Sequence, residues 1–294
     1  MTGTELPEWP KKVGTDPLYR VPIYRQRSST FLRFSGIQRN GRHQFTIPGL
    51  GILDWYVGLR KSDTLRVVLH GAVNRQRDRL PRFDRVRTSL QSEDAYIAFA
   101  DPILPHSDSV GIGWYLGNSQ VDPTKHIIDV IQKVKSQVGA KKVLFIGGSA
   151  GGFAAMRLSA AMPGSGVFAF SPQTRVSKYH GRLVRQLLDG PFDPPRISMS
   201  DFRRRFSERE DLSVIYKETE TANRIYHFQN LNDPFHVREH YEPFKMTMEL
   251  LEREGIREAG SYKSVIVDSV KGHGPPRPEE FEEHLLLAKQ HIWS

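Results

Sequence analysis

Residues 142–155, KVLFIGGSAGGFAA, constrain this chain more than any other stretch. An apolar run, Val143 to Ile146, breaks into Gly147-Gly148-Ser149-Ala150-Gly151-Gly152, and a small-residue helical pattern starts at once. Strand, sharp turn and helix is the setting in which a G-x-S-x-G motif presents a serine as a nucleophile. Such a turn strains the serine backbone, so its neighbours must lack side chains that would strike the strand and helix they join. Gly147, Gly151 and Gly152 meet that need.

The rest of the chain supplies a frame for this turn. From residue 65 onward, short apolar runs (LRVVL, AYIAFA, VFAFS, RIYHFQ and the stretch 264–267) alternate with helical patterns. Continuous apolar strands of this kind are covered on both faces, and alternation with helices predicts a mostly parallel α/β sheet. Upstream, TFLRF, RHQFTI and ILDWYVGLR read as antiparallel strands, with Asn40-Gly41 as a tight-hairpin signal. Residues 1–29 lack periodicity and read as an extended arm, followed by a single domain over 30–294. Residues 175–223 exceed any ordinary connection and are expected to form an inserted lid with helices near 182–188 and 200–206.

In such sheets ligands bind at the carboxyl ends of the strands. Four of those ends carry chemistry, in the order His70-Gly71, Ser149, Asp233 and His273. Serine, then acid, then histidine is the chain order of an α/β-hydrolase triad. A serine hydroxyl needs an imidazole to take its proton, and the imidazole needs a carboxylate to fix its tautomer. Ser149 is therefore the expected nucleophile, His273 the base and then acid, and Asp233 its orienter. An oxyanion needs backbone amides aimed at it, expected from Ala150 and from Gly71 or Ala72. His70, Trp114 and Tyr115 are the candidates for substrate contact, with a structural role as the other reading of His70 and packing beneath the pocket as that of Trp114 and Tyr115, whereas His236 and His240 read as surface or supporting residues.

Composition excludes other chemistry. The chain has 294 residues and no cysteine, which removes disulfides, thiolate nucleophiles and Cys-ligated zinc. Its 11 histidines form no metal-binding helix spacing, so neither metal nor organic cofactor is expected. No run reaches the roughly 18 apolar residues of a membrane helix. The N-terminus, MTGTELPEWPKK, lacks the apolar core of a secretory signal, and a cytoplasmic protein is expected. Residues 1–90 carry 17 Lys and Arg against 7 Asp and Glu, in a chain of net charge +9. That excess favours an anionic partner, and without the spacing of a reading module nucleic acid is not expected.

These residues resemble the α/β-hydrolase superfamily over 64–294. Within it, HGA followed by R-x-x-x-P-x-F (77–83), ADP, GWYLG, GGSAGG and SPQT are similar to a hydrolase-like branch of bacterial capsular polysaccharide biosynthesis proteins. They also resemble the glycan-modifying acetyltransferase component of accessory Sec systems. The resemblance implies serine-dependent ester hydrolysis or acyl transfer, with an acylated glycan or other ester as substrate, through Ser149, Asp233 and His273. Two alternatives stand beside it, an inert hydrolase-fold protein that binds a glycan or protein through its basic N-terminal third, and a serine peptidase.

Overall fold

A computed structural model describes residues 10–29, 40–192, 197–218 and 222–294. The strands are β1 (Lys11–Thr15), β2 (Pro22–Arg25), β3 (Asn40–Ile47), β4 (Gly51–Gly58), β5 (Thr64–Leu69), β6 (Ala95–Phe99), β7 (Lys142–Gly148), β8 (Gly166–Phe170), β9 (Arg224–Asn230) and β10 (Tyr262–Val267). The helices are α1 (Val86–Gln91), α2 (Thr124–Val138), α3 (Ala150–Ala160), α4 (Gly181–Leu188), α5 (Met199–Arg205), α6 (Ser207–Glu210), α7 (Leu212–Glu218), α8 (Pro234–His236), α9 (Glu242–Arg253) and α10 (Pro278–Trp293). One sheet runs in the order β1-β2-β3-β4-β6-β5-β7-β8-β9-β10. Every pairing from β6 to β10 is parallel, and β4 runs antiparallel to both β3 and β6.

The mixed sheet with helices on both faces follows from the side-chain alternation of its strands. On β5, Leu65, Val67 and Leu69 enter one core with α2 and α3, while Val68 enters a second core with Phe281, Leu285 and Ile292 of α10. The same split places Val143 and Phe145 of β7 on one side and Leu144 and Ile146 on the other. Helix α2 starts where Asp122 accepts hydrogen bonds from the Thr124 amide and hydroxyl, and ends at Gly139, whose φ of 74° closes it.

Two expectations change near the N-terminus. The stretch read as an extended arm contains the hairpin β1–β2, and β2 adds in parallel to β3. It is held by polar contacts that leave no apolar period: Asp16 accepts from the amides of Leu18 and Tyr19, and Arg42 pairs with both Asp16 and Asp54. Asn40-Gly41 is no turn but the start of β3, paired with Gly58 and Val57. The reversal falls at residues 48–50, where Gly49 has φ 76°. The expected strand TFLRF lies outside the described residues. In the segment 175–223, Val184, Leu187, Phe202, Leu212 and Tyr216 join the larger core, so its helices are rooted in the domain. No helix among the described residues is long and apolar enough to cross a membrane.

Burial of imidazoles sets a pH dependence of stability. Burial lowers the pKa of His43, His227 and His240 to about 3 and that of His236 to about 4. These rings stay neutral when folded but protonate near 6.5 when unfolded, so stability is full above that pH and falls as pH drops towards the folded values. Each contributes up to about 1.4 kcal/mol per pH unit in that window. Asp101, raised to about 6 by burial, acts in the opposite sense and offsets one of the four. The unfolding midpoint is therefore expected to fall steadily from pH 7 to pH 5, measured by calorimetry; a flat midpoint would contradict the neutral burial of these rings.

Candidate active site

Leu69 of β5 pairs with Gly147 of β7, so the loops His70–Ala72 and Gly148–Ala150 leave the sheet side by side. Between them the chain turns at Ser149, with φ 54° and ψ −124°. Its amide donates to the Phe170 carbonyl at 3.2 Å, and its carbonyl accepts from the Phe153 amide at 3.1 Å. The three glycines singled out in the sequence are each needed. A Cβ on Gly147 would lie 2.2 Å from the Gly151 carbonyl oxygen, one on Gly151 would lie 2.2 Å from the Leu69 oxygen, and one on Gly152 2.8 Å from Pro172 Cβ. Gly148 is equally confined, 2.0 Å from the Phe170 ring.

Asp233 and His273 meet although 40 residues apart. His273 Nδ1 lies 2.6 Å from Asp233 Oδ2 in a hydrogen bond. The loop that carries His273 is tied to the end of β9 by Asn230, whose amide donates to the carbonyls of Val270 and Gly272 at 2.7 and 2.8 Å. Ser149 and His273 line one cleft of about 540 Å³ with Gly71, Ala72, Phe170, Tyr179 and the arginines 77, 82 and 85.

A second imidazole shares the carboxylate. His236, fully buried, has Nδ1 2.8 Å from the same Oδ2, and its ring stacks on that of His273 at 4.0 Å and 6°. Burial, aided by the neighbouring His273, lowers its pKa to about 4. Burial alone would push Asp233 up, but charge interaction with His236 and hydrogen bonds from His273 and His236 hold it below the usual carboxylate range. Gln173 settles which imidazole is available. The Trp114 indole can only donate, and it donates to Gln173 Oε1 at 3.1 Å, which turns Gln173 Nε2 towards Ser149 Oγ at 2.9 Å and His236 Nε2 at 2.7 Å. The His236 lone pair is thus used, and that ring is a poor base. His273 Nε2 accepts no hydrogen bond among the described residues, and the residue lines the cleft. In this structure Ser149 Oγ accepts from Gln173 and makes no hydrogen bond to His273.

Donor atoms of Asp233, His236 and His273 lie within 4.8 Å of one another. Their spacings of 2.6 and 2.8 Å to one oxygen are hydrogen-bond distances, shorter than the roughly 3.3 Å between donors around a tetrahedral zinc.

For His70, Trp114 and Tyr115 the structure favours the supporting role over substrate contact. His70 is buried: its Nε2 accepts from the Asp101 amide at 3.1 Å, so Nδ1 carries the proton and donates to the Gly71 carbonyl at 2.6 Å. Tyr115 donates to the Phe99 carbonyl and accepts from the His70 amide, and Trp114 is fully buried against Gln173 and Tyr179. None of the three lines the cleft, because each spends its polar atoms on holding the loops beneath it. Arg82 also holds the Ala72 carbonyl at 3.3 Å. The Gly71 carbonyl is drawn towards His70, so the Ala72 amide, antiparallel to it across a trans peptide, points the other way. The amides of Gly71, Ala72 and Ala150 donate no hydrogen bond among the described residues.

Gln173 was missed as a site residue in the sequence, and His236, read there as a surface or supporting residue, is the supporting one. Gln173 follows β8 in Ser-Pro-Gln-Thr, so the strand-end rule that selected the others also reaches it.

No protein-family model matches this chain, and no curated protein does. Solved structures do. The capsule O-acetyltransferase of Neisseria meningitidis serogroup A matches with TM-score 0.64 at 15% identity, over 95% of this chain and 98% of that one. The Pyrococcus furiosus esterase Pf2001 matches with TM-score 0.53 at 15% identity, over 87% and 93%. A glycosylation-associated protein complex (Gap123) from Streptococcus agalactiae matches with TM-score 0.56 at 14% identity, over 85% of this chain and 45% of that one. At such identities the likeness carries the architecture, and the chain has the α/β-hydrolase fold.

Proposed function

We propose that this chain transfers or hydrolyses an ester-bound acyl group through an acyl-Ser149 intermediate. The observation that carries the reading is the strained Ser149 turn opening into the cleft it shares with His273, whose Nδ1 is fixed by Asp233. Held in that tautomer, His273 presents Nε2 as a base. Ser149 Oγ, turned from Gln173 towards His273, gives up its proton and bonds to the acyl carbon. The carbonyl oxygen becomes an oxyanion between the amides of Ala150 and of Gly71 or Ala72, and the orientation imposed by His70 favours Ala72. The leaving group departs with the proton from His273. Water, or a sugar hydroxyl, then attacks the acyl-enzyme through the same base and restores Ser149.

The arginines around the cleft favour an anionic group on one of the two substrates. A neighbour in fold is a capsule O-acetyltransferase seen in complex with CoA, which supports a phosphate-bearing acyl donor and a bacterial glycan as acceptor.

A fluorophosphonate probe tests the reading. Stoichiometric labelling of the native chain at Ser149, lost in Ser149→Ala, is the expected result. One observation favours a second reading, an inert scaffold: Ser149 Oγ is engaged by Gln173 and not by His273. Absence of labelling on the native chain would reject acyl transfer and leave that scaffold.

A further inference from the structure

The guanidinium of Arg85 stands between two cavities with its donors unclaimed. It lines the cleft of Ser149 and His273, and also an adjoining cavity of about 710 Å³ with Tyr19, Tyr56, Phe83 and Arg87. Its Cζ lies 3.1 Å from the ring centroid of Phe281 and 5.6 Å from that of Phe170. Stacking uses the flat face of a guanidinium and leaves free the N–H groups around its edge. Among the described residues, no hydrogen bond or ion pair reaches that edge.

Two carboxylates act on Arg85 through their charge, Asp84 and the exposed Glu282 of α10, and neither forms an ion pair with it. Asp84 pairs with Arg82 at 2.7 Å, and Asp78 pairs with Arg82 at 3.0 Å and Arg77 at 3.2 Å. Two of the three cleft arginines are thereby neutralised, and Arg85 is left charged on the wall. Donors with no protein partner on a cavity wall are open to a ligand, and the fork of an arginine matches a phosphate or carboxylate bidentately.

We propose that Arg85 recognises an oxyanion of the substrate, a phosphate or a carboxylate, and so holds a charged molecule across the two cavities with its reacting group at Ser149. The proposal rests on acyl transfer at Ser149. The oxyanion belongs either to the acyl donor or to the acceptor, and matched probes separate the two. Acetyl-CoA is compared with acetyl-pantetheine, which lacks the nucleotide phosphates. An oligosaccharide bearing a uronic acid is compared with the same sugar after reduction of its carboxyl group.

In the full chain, Arg85→Met keeps an apolar stem on Phe281 and removes the donors, while Arg85→Lys keeps the charge and loses the fork. Arg85→Met is expected to lower the charged-to-uncharged ratio of kcat/KM about 10- to 100-fold for one pair, with Arg85→Lys between it and wild type. The pair that responds identifies the source. Ratios within two-fold of wild type in both pairs overturn the proposal, and if Arg85→Met does not fold, Arg85→Lys alone decides on that threshold. Dissociation constants of the same four probes, measured by calorimetry on Ser149→Ala with and without Arg85→Met, give a readout without chemistry. Selective weakening of a charged probe there supports Arg85 even if no ester is turned over, so failure of the acyl-transfer reading and failure of this proposal remain distinct.

Discussion

Asp233→Asn is expected to lower kcat/KM for a short-chain ester about 10⁴-fold, the loss that follows when the catalytic imidazole is held in the wrong tautomer. The geometry leaves asparagine no harmless orientation. Asp233 Oδ2 faces Nδ1 of His273 at 2.6 Å and of His236 at 2.8 Å, while Oδ1 accepts from the His236 amide at 3.3 Å. With the amide nitrogen at the Oδ2 position, it donates at both rings. His273 must then carry its proton on Nε2, where a base is needed, and His236 must turn an N–H against the N–H of Gln173. Reversing the side chain restores the acceptor but sets an NH₂ against the His236 amide. Measured as release of p-nitrophenol, a loss under 10-fold in a protein with its wild-type unfolding transition would remove Asp233 from the reading.

How much of this was legible in the sequence depends on whether a residue's role is local. The Ser149 turn was readable because its steric demands fall on its own neighbours, Gly147, Gly151 and Gly152. Asp233 and His273 were readable because strand ends converge on one edge of a parallel sheet, wherever they fall in the chain. The exchange between Trp114 and Gln173, 59 residues apart, has no local signature. Trp114 therefore read as pocket wall or packing when its indole is spent on aiming an amide. Charge behaved alike: Arg42, Arg66, Arg75, Arg77 and Arg82 all find carboxylates, so part of the basic excess of the N-terminal third is spent on ion pairs that the sequence does not show. Among the three arginines of the Ser149 cleft, those pairings leave Arg85 as the one without a carboxylate partner. The hairpin β1–β2 was missed because Asp16 and Arg42 hold it, and polar anchors leave no period to count.

Gly151→Ala is expected to prevent formation of the native turn, a larger effect than the loss of any hydrogen bond at the site. The added carbon would meet the Leu69 carbonyl oxygen at 2.2 Å, with the carbonyl carbons of Leu69 and His70 at 2.8 and 2.9 Å. These atoms belong to the backbone of β5 and the loop after it, so no side-chain rotation relieves the contact. Leu69 is paired with Gly147 in the middle of the sheet, and moving it shifts both the strand beneath Ser149 and the His70–Ala72 loop. The cost should exceed the roughly 1–3 kcal/mol of ordinary overpacking. At about 2 °C or more per kcal/mol for a chain of this size, the unfolding midpoint should fall by well over 5 °C in whatever protein remains soluble. Gly181→Ala serves as the control, since nothing lies within 4 Å of its added carbon and its φ is not positive. A Gly151→Ala protein with the midpoint of that control would mean that the two loops do not approach as closely as the turn requires. The case for Ser149 beside the His70–Ala72 amides would then fall with it.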